Sequence, residues 1–182
     1  MKLVTYRKST SSGPATEARG GILVGDALDT ILDLGQALAH VGAPGGSTVL
    51  GLIEAGPEGL RAAREAIRAY EQGKLPEAAR VKASEVTLLA PIPRPPSMRD
   101  GYAFRQHVAT ARRNRGLEMI PEFDQFPVFY FTNHQAVVGP GPVTVKPLHL
   151  ERLDFELEAA IVVGREARDV TAANADEIVF GM

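Results

Sequence analysis

The chain has no cysteine. Disulfides, thiolate metal sites and a cysteine nucleophile are therefore excluded, and any bound metal must rely on oxygen or imidazole. The opening Met1-Lys2-Leu3-Val4-Thr5-Tyr6 lacks the apolar core of a signal peptide, and no apolar run approaches membrane-spanning length. A cytoplasmic protein without membrane association is expected. With 20 basic residues against 22 acidic ones, the net charge of −2 offers no electrostatic footprint for nucleic acid. There is no phosphate-cradling glycine loop, no serine-elbow motif and no evident internal repeat. What remains is a chain of 182 residues, 45% hydrophobic. It is long enough for one sizeable domain, or a small domain plus most of a second, and small-molecule chemistry is the function class that fits.

Local patterning sets out the organisation. Leu3–Tyr6 and Ile22–Val24 read as strands of a hairpin around the Ser/Gly/Pro-containing stretch Ser9–Gly21, closed by a turn at Gly25-Asp26. Leu32–His40 and Thr48–Ala55 read as short helices separated by Gly42-Ala43-Pro44-Gly45-Gly46. Pro57–Gln72 makes a longer helix with Leu60, Ala63, Ile67 and Tyr70 on one side. Val86–Ala90 reads as a strand, and Pro91-Ile92-Pro93-Arg94-Pro95-Pro96 as a stiff connection that continues neither helix nor central strand. Ser97-Met98-Arg99-Asp100 then has capping-box spacing, with Asp in place of Glu or Gln, and predicts a helix running to about Arg115. In such a helix Asp100 and His107, seven residues apart, return to nearly the same face. Phe126–Thr132 is a strand-like aromatic run, Gly139-Pro140-Gly141-Pro142 a turn, and Thr171–Ile178 a short helix.

The densest chemical signal is Leu153-Asp154-Phe155-Glu156-Leu157-Glu158-Ala159-Ala160-Ile161-Val162-Val163-Gly164. Strict alternation predicts a strand with Asp154, Glu156 and Glu158 on one face, which then becomes apolar on both. Glu156 and Glu158 sit roughly 6.6 to 6.8 Å apart along such a strand. If their carboxylates approach to about 5 Å, repulsion at an effective dielectric of about 20 costs roughly 3 kcal/mol unless a proton or a cation intervenes. The competing reading is a half-solvated strand whose polar face is acidic.

Among the histidines, His107 alone lies in a dense polar and aromatic setting, Asp100-Gly101-Tyr102-Ala103-Phe104-Arg105-Gln106-His107. It is the best general-base candidate, since an imidazole titrating near 6.5 takes a proton at neutral pH. The alternative is packing or surface exposure, the reading assigned to His40 and His149, while His134 beside Asn133 is otherwise unremarkable. Asp100 is either an acid complementing a helix dipole or a metal ligand. Arg112, Arg113 and Arg115 either bind a substrate carboxylate or form a solvated face. Tyr102 and Tyr130 either donate to a ligand or pack.

The order Arg99-Asp100-Gly101-Tyr102, Arg105-Gln106-His107, Phe126-Pro127-Val128-Phe129-Tyr130-Phe131, Leu153-Asp154-Phe155-Glu156-Leu157-Glu158 and Val163-Gly164 resembles the fumarylacetoacetate hydrolase family. The resemblance is good over about residues 85 to 182 and looser before. It implies an α+β, mainly β chain: a small α+β N-terminal domain over 1–84, a Pro-rich linker over 85–96, and over 97–182 the N-terminal part of a mixed β-sandwich roll. It implies Mg²⁺, Mn²⁺ or Ca²⁺ held by Asp100, Glu156 and Glu158, with His107 as catalytic base and Tyr102 and Tyr130 lining the substrate site. Asp154 is not carried over as a ligand.

The implied activity is metal-dependent hydrolysis of a carbon–carbon bond in a dioxo acid, of the kind used in aromatic-compound catabolism. Decarboxylation or isomerisation of a related keto acid is the alternative chemistry. The resemblance also implies that a further metal-binding aspartate, a lysine and an acidic partner of the histidine belong to sequence after Met182. The substrate-binding arginine has no clean match near Gly116. Two classes follow: an enzyme completed by a C-terminal portion and usually dimeric, or a non-catalytic remnant or binding module.

Overall fold

Two short apolar segments at the start of the chain can bury their faces only by pairing, and they do. In the computed structural model, which describes residues 1–9, 16–43 and 46–182, β1 (Lys2–Lys8) and β2 (Arg19–Val24) form an antiparallel hairpin in which Tyr6 faces Arg19 and Leu3 faces Ile22. Part of the Ser9–Gly21 stretch, residues 10–15, and residues 44 and 45 of the Gly42–Gly46 segment lie outside the described residues. The turn after β2 uses Gly25 at φ +85°, a left-handed conformation that suits glycine.

The next element departs from expectation. Leu32 and Asp33 are not helical: β3 (Thr30–Asp33) pairs with β2, and α1 (Leu34–His40) begins on the following residue. The physical reason is Asp33, which ends the strand in an extended conformation and caps the helix, its carboxylate accepting from the Gln36 amide at 3.0 Å. α2 (Val49–Glu54) is capped in the same way by Thr48. α3 (Gly56–Glu71) agrees with the predicted helix, but its most buried residues are Gly59, Ala62, Ala63 and Ala66. Ile67 and Tyr70 pack at the margin and Leu60 is half-buried. Small side chains win the central stripe because α3 approaches α2 closely: a Cβ on Gly59 would stand 2.6 Å from the Leu52 carbonyl oxygen.

β4 (Arg80–Lys82) and β5 (Val86–Leu89) complete a five-stranded antiparallel sheet of order β4-β3-β2-β1-β5. Ile22 and Leu32 join the helices in one apolar cluster, with Leu34, Leu38, Leu52 and Ala62 at its centre. Tyr6, Ile31 and Val81 form a second cluster. Neighbouring Ile31 and Leu32 thus serve different clusters, as strand alternation requires.

The chain divides into two compact units, Met1–Pro93 with Val138–Met182, and Arg94–Val137. The second unit holds β6 (Arg99–Gly101), α4 (Arg105–Asn114) and β7 (Phe129–Phe131). In the first unit, β8 (Val162–Val163) pairs with β9 (Val179–Gly181), and Val162 and Phe180 pack at the edge of the helical cluster. The expected terminal helix is a 3₁₀ turn over Ala175–Ile178, preceded by a loop in which Asn174 accepts from the Thr171 amide and hydroxyl. The protein is thus a mixed α/β chain built on antiparallel sheet. No helix among the described residues is long and apolar enough to cross a membrane.

Candidate active site

The capping-box reading of Ser97–Asp100 is overturned. Arg99–Gly101 is a strand, β6, paired antiparallel with β7 so that Arg99 faces Phe131, Asp100 faces Tyr130 and Gly101 faces Phe129. The Tyr102 amide extends the ladder by donating to the Val128 carbonyl at 3.0 Å. Cross-strand chemistry explains the choice. The Arg99 guanidinium lies 3.9 Å from the Phe131 ring centre and 6.0 Å from that of Phe129, and the two rings meet edge to face at 5.9 Å. On the opposite face Tyr130 Oη donates to Asp100 Oδ2 at 2.5 Å. Local capping offers one hydrogen bond; pairing with the aromatic strand offers a ladder, a cation–π stack and a phenol–carboxylate bond.

Asp100 and His107 therefore do not share a helix face. A tight turn, with the Ala103 amide donating to the Gly101 carbonyl at 2.7 Å, separates β6 from α4. His107 lies in the first turn of α4, exposed, on an open depression of about 540 Å³ lined also by Ala103, Phe104, Arg105, Gln106 and Thr110. Arg105 on the same depression is held by both oxygens of Asp124, at 3.2 and 3.3 Å, and this keeps its guanidinium above its ordinary pKa. The arginines at the far end of α4 have local partners: Arg112 Nε donates to the Glu118 carbonyl, and Arg113 Nη2 to Thr110 Oγ1 at 3.3 Å. They sit where the helix dipole favours cations.

The acidic stretch also differs from expectation. Only Val162 and Val163 are paired strand; Leu153–Ile161 runs outside any ladder among the described residues, with Phe155 and Leu157 84% and 96% exposed. Alternation specifies which side chains share a face but not which segment will supply the hydrogen bonds. Glu156 and Glu158 are exposed here, and Asp154 turns its carboxylate back to the Phe155 amide at 2.8 Å. Among the described residues, no three carboxylate or imidazole groups gather as a metal site. Asp100, Tyr102, His107 and Tyr130 belong to the unit Arg94–Val137, and Glu156 and Glu158 to the other.

A second polar cluster lies outside every sequence-derived candidate. Asp33, 4% exposed, accepts from Tyr6 Oη at 2.6 Å and from Arg19 Nε and Nη2 at 2.5 and 2.7 Å. Burial alone would raise the Asp33 pKa, but the bonds from Arg19, Tyr6 and the Gln36 amide prevail and hold it below its ordinary value. Burial, then the Asp33 carboxylate, pushes the Tyr6 phenol well up. The local signal was Asp33-Leu34-Gly35-Gln36, a cap followed three residues later by Gln. Nothing in the spacing pointed to Tyr6 or Arg19.

Known proteins settle the ancestry. The profile described as Fumarylacetoacetate (FAA) hydrolase C-terminal matches residues 97–182, the region containing the β6–β7 pair, α4 and the acidic stretch. Residues 97–182 belong to the fumarylacetoacetate hydrolase family. A human protein named oxaloacetate tautomerase, mitochondrial, is 27% identical over 186 residues, covering 100% of this chain and 50% of that one. Fumarylacetoacetate hydrolase domain-containing protein 2 of Pongo abelii is 26% identical over 185 residues, with the same coverage. An uncharacterised protein of Pyrococcus abyssi is 32% identical over 92 residues, 46% of this chain and 39% of its own length. The chain spans half or less of the length of these family relatives. All six residues singled out for the site, Asp100, Tyr102, His107, Tyr130, Glu156 and Glu158, fall within the family-matched region.

Proposed function

We propose that the chain carries the N-terminal share of a fumarylacetoacetate hydrolase-like active site, acting by proton transfer on a small dioxo or keto acid. The observation that carries this reading is His107 on the α4 depression, in one compact unit with Asp100, Tyr102 and Tyr130 and all within residues 97–182. His107 is the base, Tyr102 and Tyr130 line the substrate site, and Asp100, Glu156 and Glu158 are the metal-binding carboxylates. Their all-oxygen chemistry suits Mg²⁺, Mn²⁺ or Ca²⁺. When bound, such an ion would polarise the substrate's oxygens. The fold in this reading is a mixed β-sandwich roll over 97–182, joined through residues 85–96 to a small domain over 1–84, in a cytoplasmic dimer or an association with a C-terminal half.

In the hydrolytic form, His107 takes a proton from water as its oxygen bonds to the substrate carbonyl carbon. The adjacent carbon–carbon bond then breaks, the attacked carbon leaves as a new carboxylate, and the departing enolate, which keeps the original carboxylate, is protonated at carbon. The reading is tested by adding a 2,4-dioxo acid with Mg²⁺ to the chain reconstituted with a C-terminal portion of the family and following product formation. Turnover lost in His107→Ala supports it, and equal turnover in parent and variant sinks it.

A second reading is favoured by one of the relatives matched along the whole chain, the human protein named oxaloacetate tautomerase. There His107 removes a proton from the carbon beside the carbonyl, and a proton is delivered to the oxygen, with no bond broken between carbons. Interconversion of keto and enol oxaloacetate without dioxo-acid cleavage would select this chemistry.

A further inference from the structure

We propose that the Arg105–Asp124 ion pair is a clamp on the first turn of α4 that holds His107 in place, making Asp124 a positioning residue. The inference rests on the reading of His107 as the base. α4 starts poorly by the rules of isolated helices. Its N-cap, Phe104, supplies no side-chain hydrogen bond, and no acidic residue lies in its first turn. Its first residue is instead the cation Arg105, at the end where the helix dipole disfavours positive charge.

Asp124, the last residue of the 3₁₀ turn Pro121–Asp124, brings the missing carboxylate to this end from 19 residues away. Both its oxygens are used, by Arg105 Nε and Nη2. Two parallel bonds fix the orientation of the guanidinium as well as its distance. Val108 is the one fully buried residue of α4, with Ala109 to Arg112 half-buried behind it, so the first turn has a single deep apolar anchor, next to His107. An anchor at one point leaves rotation and fraying free; the clamp on Arg105 supplies the second. Arg105 and His107 face the same depression with one residue between them.

Both partners are more than half exposed. The pair is therefore a weak source of global stability, and its effect belongs to local geometry. The Val108 amide reports the clamp, because it donates the first hydrogen bond of the helix, to the Phe104 carbonyl at 3.2 Å. The test compares the parent chain, Asp124→Asn, and the charge-swapped double variant Arg105→Asp with Asp124→Arg. Two readouts are taken by NMR: hydrogen exchange at Val108 and the imidazole resonances of His107.

Asp124→Asn should speed Val108 exchange about two- to fivefold, the effect of releasing an exposed ion pair on a helix end. It should also shift the His107 resonances, and the swap should restore both. Unchanged Val108 exchange overturns the clamp. Faster exchange with unmoved His107 resonances, or no recovery in the swapped variant, overturns the positioning role. Neither readout needs turnover, so the proposal can fail while His107 stands as the base, and His107→Ala can fail in the activity assay while the clamp stands.

Discussion

Tyr130 and Asp100 are cross-strand neighbours joined through their side chains, the phenol donating to one carboxylate oxygen at 2.5 Å. That bond orients the carboxylate and leaves its second oxygen to face elsewhere. If Asp100 is a metal ligand, Tyr130 acts on the metal through it. Tyr130→Phe should then weaken Mn²⁺ binding by roughly tenfold, the lower end of the effect of removing a partner that orients a ligand. Calorimetric titration decides it, and equal affinity in parent and variant removes Tyr130 from that role.

His107 and the acidic residues should separate in their effects. Glu156→Gln should greatly weaken Mg²⁺ or Mn²⁺ binding, whereas His107→Ala should leave it intact and lower turnover by about 10² to 10⁴, the usual contribution of a general base. Metal titration and steady-state rates on both variants provide the check. A loss of metal binding in His107→Ala would move that residue from base to ligand.

Asp33 should govern stability without touching the proposed chemistry. Asp33→Ala leaves a buried phenol without its acceptor, strips Arg19 of its partner and removes the cap of α1. A cost of about 3 kcal/mol is expected, at the low end for a broken buried pair because Arg19 remains one-third exposed. Urea unfolding measures it.

The same carboxylate predicts a pH dependence. Its folded pKa lies below the ordinary value of 3.8, so between the two the unfolded chain binds more protons. The contribution is complete above about pH 4 and is lost as pH falls through the folded value. Parent protein should therefore lose stability below that pH more steeply than Asp33→Asn, as read by unfolding midpoints along an acid series. Parallel curves would refute the assignment.

Gly20 predicts a packing cost. A Cβ there would meet Leu34 Cδ1 at 2.6 Å and the Thr48–Val49 backbone at 2.8 to 2.9 Å. Because backbone cannot swing aside as a side chain can, Gly20→Ala should destabilise by about 1–3 kcal/mol. Thermal unfolding of the variant is the measurement, and an unchanged midpoint would contradict the close approach of β2 to α2.

The sequence disclosed most where a local rule had no competitor. The first hairpin, α2 and α3 follow from short apolar segments flanked by Gly and Pro and, in α3, from a stripe at helical spacing behind Pro57. It misled where two local rules applied at once. Asp33 can end a strand as well as open a helix, and Ser97–Asp100 has the spacing of a cap but the neighbours of a strand. In that second case the decision was made 30 residues away, by Phe129–Phe131. The acidic stretch was legible as a pattern of faces, yet its hydrogen-bond partner is not encoded in its own residues. The contacts of Arg105 with Asp124 and of Asp33 with Tyr6 and Arg19 carry no periodicity at all, since they join elements whose meeting depends on the whole fold.

Asp33 also stores information about alignment. Its carboxylate reads one residue from each of three adjacent strands: Tyr6 on β1, Arg19 directly opposite on β2, and itself at the end of β3. Sliding any strand by one position would send its side chain to the other face of the sheet. The carboxylate would then stay buried without its donors, a heavier loss than that of any single apolar contact. One acid thus works as a checksum for the sheet, penalising misaligned pairings that the Gly- and Leu-containing strands would otherwise tolerate.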